Sequence, residues 1–188
     1  QVDMTIPLRF ADPNRSLLCA SGAHGFARIN IETGTTQTLG AWPSVWTSTP
    51  HAAAFDQSPA ITPDGTQVAF NVDTRRVEIW NTLSSEIEVV LTNASPRIDC
   101  VAFSEDGKLL ATAGKGSPVR LWNAADWSFE DIGDPIVGDV IRLVFSNDGS
   151  RLAHAGNGGA TVLDLDSGKT VFALRRGTIL VSPNTLLA

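Results

Sequence analysis

The hydrophobic positions fall into short runs bounded by turn residues. Val119-Arg120-Leu121-Trp122 alternates apolar with polar, and Glu86 to Leu91 does so more loosely, the pattern of strands with one wet face. Val101-Ala102-Phe103 and Leu109-Leu110-Ala111-Thr112-Ala113 are apolar on both faces, which marks strands covered on both sides. Asp106-Gly107 stands between those two runs. A tight turn needs the positive backbone φ that Asp and Gly tolerate, so Ile98 to Phe103 is predicted to fold back onto Lys108 to Ala113. Gly114 and Gly116, and in the next unit Gly156, Gly158 and Gly159, mark the following reversal. One unit of the pattern reads as four short strands, the first two buried and the later two more charged.

The unit recurs. Ile61 to Phe70, Phe103 to Ala111 and Phe145 to Ala153 each carry an Asp-Gly pair, beginning at Asp64, Asp106 and Asp148, and these lie 42 residues apart both times. A second marker follows each pair, in Val77-Glu78-Ile79-Trp80-Asn81, Val119-Arg120-Leu121-Trp122-Asn123 and Thr161-Val162-Leu163-Asp164-Leu165. It keeps the same beat, 42 residues from Trp80 to Trp122 and 41 from Trp122 to Leu163. Weaker copies lie at Phe10 to Leu18 with Arg28 to Ile31, and at Val181 to Ala188. A four-stranded sheet whose inner strands are sandwiched between neighbouring sheets, and whose outer strands meet water, is a propeller blade. The prediction is an all-β fold, a β-propeller segment of four-stranded antiparallel blades at about 5–40, 57–91, 98–132 and 139–174, with a partial fifth at 177–188.

Phe103-Ser104-Glu105-Asp106-Gly107, then Leu109 to Gly114, then Val119-Arg120-Leu121-Trp122-Asn123 resembles a WD40 repeat, and the resemblance covers most of the chain. Asp64, Asp106, Asp148, Trp80 and Trp122 are its structural repeat positions. Asn81 and Asn123 replace the usual Asp after Trp, Leu163 replaces Trp, and the Gly-His pair before the first strand is missing. The family's buried network of that His with the turn Asp, a Ser or Thr and the Trp is therefore incomplete here. Blade two, with Pro63-Asp64-Gly65 and Val68-Ala69-Phe70, is also similar to propellers of the TolB and prolyl-oligopeptidase type. The resemblance implies a ring of typically seven blades, or roughly 290 residues at ~42 per blade. The chain thus reads as part of a larger propeller, with missing blades or another chain covering its open end.

Composition narrows the chemistry. At 188 residues, 43% hydrophobic and 18% charged, the chain has the profile of a soluble globular protein and not of a disordered or collagenous one. Fourteen Lys and Arg against 20 Asp and Glu argue against a general nucleic-acid or anionic-membrane binder. No apolar run approaches the ~18 residues of a membrane span, and the first residues lack a signal-peptide pattern. Gln1 in place of methionine reads as processing or as a piece of something longer. Cys19 and Cys100, 81 positions apart in apolar runs, read as buried free thiols in a reducing, cytoplasmic compartment. Asn14 and Asn93 begin glycosylation triplets that matter only on a secreted chain.

Three histidines, two cysteines and no paired ligand spacing predict no metal site, and no cofactor motif is present. His24 falls in a loop, and His154, in an apolar strand, reads as a satisfied structural residue. The Gly114 and Gly156 loops join strand to strand, without the helix that a phosphate loop requires.

The expected role is a non-catalytic scaffold binding a protein or peptide partner through one propeller face. The interval from Ile29 to Trp80 is 51 residues, nine above the repeat, and the excess holds Trp42, Trp46 and His51. Such aromatics either anchor a partner or fold back over the blade edge. Connections at the same face hold Arg75, Arg76, Arg97, Lys115, Arg175 and Arg176, while Asp64, Glu105, Asp106 and Asp148 hold the opposite end. A basic face selects an acidic or phosphorylated peptide, unless these are ordinary solvated loops. The alternative role is the propeller domain of an enzyme, gating a peptidase or holding a metal where Asp99 and Asp139 begin inner strands.

Overall fold

The computed structural model describes residues 5–11, 15–21, 25–40, 59–92, 97–175 and 178–181. Among them there is no helix, and the strands form four antiparallel sheets in which each strand pairs with the next in sequence. Sheet one holds β1 (Thr5–Ala11), β2 (Ser16–Ser21), β3 (Gly25–Asn30) and β4 (Thr36–Gly40). Sheet two holds β5 (Ala60–Ile61), β6 (Gln67–Asn71), β7 (Arg76–Asn81) and β8 (Ile87–Thr92). Sheet three holds β9 (Cys100–Phe103), β10 (Leu109–Ala113), β11 (Val119–Asn123) and β12 (Phe129–Ile132). Sheet four holds β13 (Val140–Phe145), β14 (Arg151–Gly156), β15 (Gly159–Asp164), β16 (Lys169–Arg175) and β17 (Thr178–Val181).

The segment expected to open a fifth blade does something else. Thr178–Val181 lies antiparallel on β16, with Phe172 opposite Val181 and Leu174 opposite Ile179, so it is the fifth strand of sheet four. An apolar tetrapeptide announces a strand but not which edge it will satisfy, and the edge of β16 is the nearest row of open backbone groups.

The Asp-Gly turns are copies of one another. Thr62, Ser104 and Ser146 each donate a hydroxyl to the turn carboxylate of Asp64, Asp106 or Asp148, at 2.6, 2.7 and 2.5 Å. The same carboxylates accept the backbone N–H of Thr66, Lys108 and Ser150, all at 3.0 Å, and Gly65, Gly107 and Gly149 hold φ of 76°, 72° and 71°. The turns between third and fourth strands also repeat. Asn30, Asn81, Asn123 and Asp164 each accept a backbone N–H two or three residues on, a short polar loop mimicking a backbone turn. In each, the left-handed position is taken by Gly34, Ser85, Trp127 or Gly168. Asn in place of Asp after Trp therefore keeps the turn, because the amide oxygen accepts the same bond. The second turn is stitched to the first in every sheet: the N–H groups of Ile31, Thr82, Ala124 and Leu165 donate to Arg15, Thr66, Lys108 and Ser150 at 2.8–2.9 Å.

Hydrogen bonds also set the acidity of these turns. Hydroxyl and N–H donation from Ser104 and Lys108 holds Asp106 below the usual carboxylate range, and Ser146 and Ser150 bring Asp148 down to about 2. At Asp64 burial pushes upward but is outweighed by donation from Thr62 and Thr66. Folded values below the unfolded ~3.9 mean stability that is present above that pH and lost as pH falls through the folded values. The midpoint of thermal unfolding should be flat from about pH 7 to 5 and fall steeply below about pH 4. Replacing all three with Asn should flatten the fall, and a midpoint that rises on acidification in that range would contradict the assignment.

The sheets group into two compact units, residues 1–70 with 77–91, and residues 71–76 with 92–188. In the first, sheets one and two share a core of buried Leu18, Phe26, Ile61, Val68 and Phe70, the two rings 5.7 Å apart. On the exposed side, Arg28 Nη2 donates to the Asp64 carbonyl at 2.9 Å. In the second, Ala111, Ala113, Val119 and Leu121 of sheet three pack with Val140, Leu143, Phe145, Leu152 and Leu163 of sheet four.

The strands grade from buried to wet within a sheet. All of β10 beyond Leu109 is buried, whereas β12 is exposed until Ile132. Sheet four departs from this grading. In β14 only Leu152 is fully buried, and on the far face of the sheet Ile141 and Val144 are 65% and 60% exposed.

Candidate functional site

The strand ends away from the Asp-Gly turns gather the candidate residues of the second unit. Arg97 precedes β9, Lys115 sits in the β10–β11 turn, residues 133–139 join β12 to β13, and Arg175 ends β16. The 71–76 turn joins this end through Ile98 N–H donating to the Thr74 carbonyl at 2.7 Å. Trp42, Trp46, His51, Arg176 and His24 lie outside the described residues.

Asp99 is the centre of this end. Its residue is 2% exposed, and its carboxylate accepts from Arg97 Nε, from the Lys115 N–H at 3.2 Å and from the Val140 N–H at 3.2 Å. One side chain thereby ties β9 to the β10–β11 turn and to the first strand of sheet four. Arg97 extends the network, its Nη1 lying 3.7 Å from Asp139, which accepts from Asn157 Nδ2 at 2.9 Å. Asn157 returns the bond, its Oδ1 accepting the Asp139 N–H at 2.7 Å. Asp99 and Asp139, the pair considered as metal ligands, are thus occupied by donors of the protein itself. Among the described residues no group of three or more His, Cys, Asp and Glu is placed to hold a metal ion.

These carboxylates alter the charge of the face. Arg76 Nε is 2.7 Å from Asp73, and Arg97 is shared between Asp99 and Asp139. Burial pushes Asp73 upward, but hydrogen bonding from Arg76 and the Arg75 N–H leaves it below its ordinary value. Arg75, Lys115 and Arg175 are exposed, and none of their side chains makes a hydrogen bond or ion pair within the described chain. Counting only basic residues in the loops overstates the positive charge, because Asp73, Asp99, Asp134 and Asp139 share the same end.

The repeat tryptophans are buried, Trp80 at 7% and Trp122 at 4% exposure. Trp122 Nε1 donates to Thr112 Oγ1 at 3.1 Å, whereas Trp80, in a sheet with Phe70 at the Thr112 position, donates to Glu78 at 3.0 Å. Beside Trp122, Arg120 makes a two-pronged contact with Asp131 at 2.7 and 2.8 Å and stacks 3.9 Å from the Phe129 ring centre. Charge and apolar stem are both used, so Arg120→Lys should cost about 1–2 kcal/mol in urea unfolding, and a cost near zero would show the fork to be dispensable.

The thiols are inert by environment. Cys19 is buried and raised by that burial; Cys100 is half-buried and raised to about 11 by burial and then by the charge of Asp99. Only about one Cys100 in a thousand is thiolate at pH 8. Disulfide reagents should label neither thiol until the protein is unfolded, and prompt labelling of the folded chain would refute this.

A hollow opens beneath the 133–139 connection. It is open to solvent, has a volume of about 30 Å³ and is lined by the apolar Pro135, Ile136, Val137 and Leu163 as well as by Asp134, Asp139, His154, Thr161, Thr170, Arg175 and glycines 156, 158 and 159. His154 is half-buried, and none of the described residues hydrogen-bonds its imidazole, so among them it lacks the partner that a satisfied structural histidine in an apolar strand would have. Burial and the nearby Arg175 hold its pKa below the ordinary value. No family model and no curated protein matches the chain.

Proposed function

We propose that the chain is a segment of a WD40-type β-propeller and serves as a rigid, non-catalytic scaffold, presenting Arg75, Lys115 and Arg175 to an acidic segment of a partner protein. The observation that carries this reading is that three Asp-Gly turns at one sequence interval share the same hydroxyl and backbone N–H bonds to the turn carboxylate. Repeated sheets of one kind hold their connecting loops in fixed relation while the loops vary freely, which suits recognition spread over several loops. The far face of sheet four supports the propeller form. Val144, Ala153, Ala155, Ala160 and Val162 occupy the places that Ala102, Ala111, Ala113, Val119 and Leu121 hold in sheet three, whose side packs on the next sheet. That face is built for another sheet of the same kind.

The test is binding of fluorescent acidic, neutral and basic peptides to the chain and to an Arg75→Glu, Lys115→Glu, Arg175→Glu triple variant. Acidic peptides should bind preferentially, weaken as salt is raised and lose roughly tenfold or more on charge reversal. Equal binding of the three classes, or no effect of reversal, would overturn the reading.

A further inference from the structure

We propose that Asn157 is a modification site, at which the chain deamidates itself slowly and irreversibly, and that the 133–139 connection is its guard. Of the chain's asparagines only Asn157 is followed by glycine. A glycine has no side chain to shield its backbone nitrogen, so Gly158 N is open to attack the side-chain carbonyl carbon of the asparagine before it. The Gly158 N–H loses its proton, a bond forms from that nitrogen to Asn157 Cγ, and the Cγ–Nδ2 bond breaks with release of ammonia. Water then opens the five-membered imide at either of its carbonyls. One product is an ordinary aspartyl residue at 157. The other is an isoaspartyl residue, whose main chain runs through the side-chain carbon and is longer by one methylene. No oxidant or reductant is consumed.

The fold restrains both reacting groups. Asn157 Nδ2 donates to Asp139 Oδ2 at 2.9 Å and Asn157 Oδ1 accepts the Asp139 N–H at 2.7 Å, so the amide is fixed at both ends. The backbone of 137 and 138 lies against the same dipeptide. A Cβ on Gly158 would overlap the Val137 carbonyl oxygen, and one on Gly138 would meet the Gly158 nitrogen at 2.7 Å. Attack requires the amide to leave Asp139 and turn toward Gly158 N, and therefore requires the connection to lift. Asn157 is exposed, so water reaches the imide once it has formed. Conversion then loosens what it needed to open. The oxygen that replaces Nδ2 faces the Asp139 carboxylate, where two negative charges repel, and Arg97 Nη1, 3.7 Å from Asp139, offsets only part of this. The isoaspartyl methylene has no room against residues 137 and 138.

The chemistry is independent of the scaffold reading, and its failure would leave that reading standing. In the test the intact chain is held in mildly alkaline buffer and then digested with trypsin, which frees residues 152–169 with Asn157 as their only asparagine. Mass spectrometry reads the fraction converted. Asn157 should convert before any other asparagine, and more slowly than in the synthetic peptide 152–169, where nothing holds the amide. Asp139→Ala, kept well below its melting midpoint, should speed conversion roughly tenfold, about what one hydrogen bond to a charged group is worth. Asp139→Asn, which still accepts from Nδ2, should stay near the wild-type rate. Asn157→Asp tests the consequence separately. Its carboxyl and that of Asp139 share one site, so one of them titrates above its unfolded value, which is stability present at low pH and lost as pH rises. The variant's melting midpoint should lie closest to wild type below about pH 4 and fall furthest behind near pH 7. Arg97 and the Asp134, His154 and Arg175 of the hollow that Asp139 lines are common to both chains and cancel in the comparison. Conversion as fast as in the free peptide, another asparagine converting first, an Asp139→Ala rate no faster than wild type, or a midpoint difference that ignores pH would overturn the proposal.

Discussion

Replacing Asp99 with alanine is expected to destabilise the second unit by about 3–5 kcal/mol, the range seen when a buried charged partner is removed and its donors are stranded. The side chain accepts two backbone N–H groups from different segments, those of Lys115 and Val140, besides Arg97 Nε. Alanine supplies no acceptor, and at 2% exposure water has no ready access to replace it. Most of the loss belongs to the N–H groups, because the Arg97 side chain is 45% exposed and solvent screens that pair. Asn should recover part of the stability through its one amide oxygen. At ~2–4 °C per kcal/mol for a chain of this size, the alanine variant should melt about 10 °C lower. Hydrogen exchange supplies the specific readout: the Lys115 and Val140 amides should lose protection more than those at the Asp-Gly turns. A loss below about 1 kcal/mol would mean that the carboxylate is not the tie described.

The parts of this fold legible in the sequence are those where chemistry is local. Asp64, Asp106 and Asp148 announce their turns because the carboxylate, the hydroxyl two residues earlier and the following glycine lie within one short segment. The four-stranded grouping follows from such turns plus apolar runs. Asp99 is visible as a charge between Ile98 and Cys100, and Arg97 as its near partner, but its two backbone donors lie 16 and 41 residues away, beyond any local pattern. The basic end is legible as a count and not as a field, since Arg97 is matched by Asp99, read from sequence as a metal candidate, and Arg76 by Asp73, which the sequence reading passes over. His154 shows the same limit: an apolar strand predicts a satisfied imidazole, while the register places it beside Thr161 on the wall of a hollow. The placement of β17 on β16 depends on which edge is open, information that belongs to the folded sheet.

Glycine at 114 and 156 shows where sequence reading names the right residue for an incomplete reason, and it yields the second large effect. Both look like turn glycines, as Gly116 does, yet only Gly116 has a positive φ, of 85°. Gly114 and Gly156 are needed because backbone passes too close: a Cβ would overlap the carbonyl oxygen of Arg97 in one case and of Asp139 in the other. These are equivalent points, the place where the second strand of a sheet meets the entry of the first. Because the obstacle is main chain, no rotamer change relieves it; β13 and β14 must separate at the Val140–Gly156 pair. Gly156→Ala is therefore expected to cost at least about 3 kcal/mol, in line with overpacking against rigid structure. Gly116→Ala, with open space around its Cβ, should cost about 1 kcal/mol from backbone conformation alone. Urea unfolding of the two variants side by side decides the matter, and equal losses would show that the close approach relaxes at little cost.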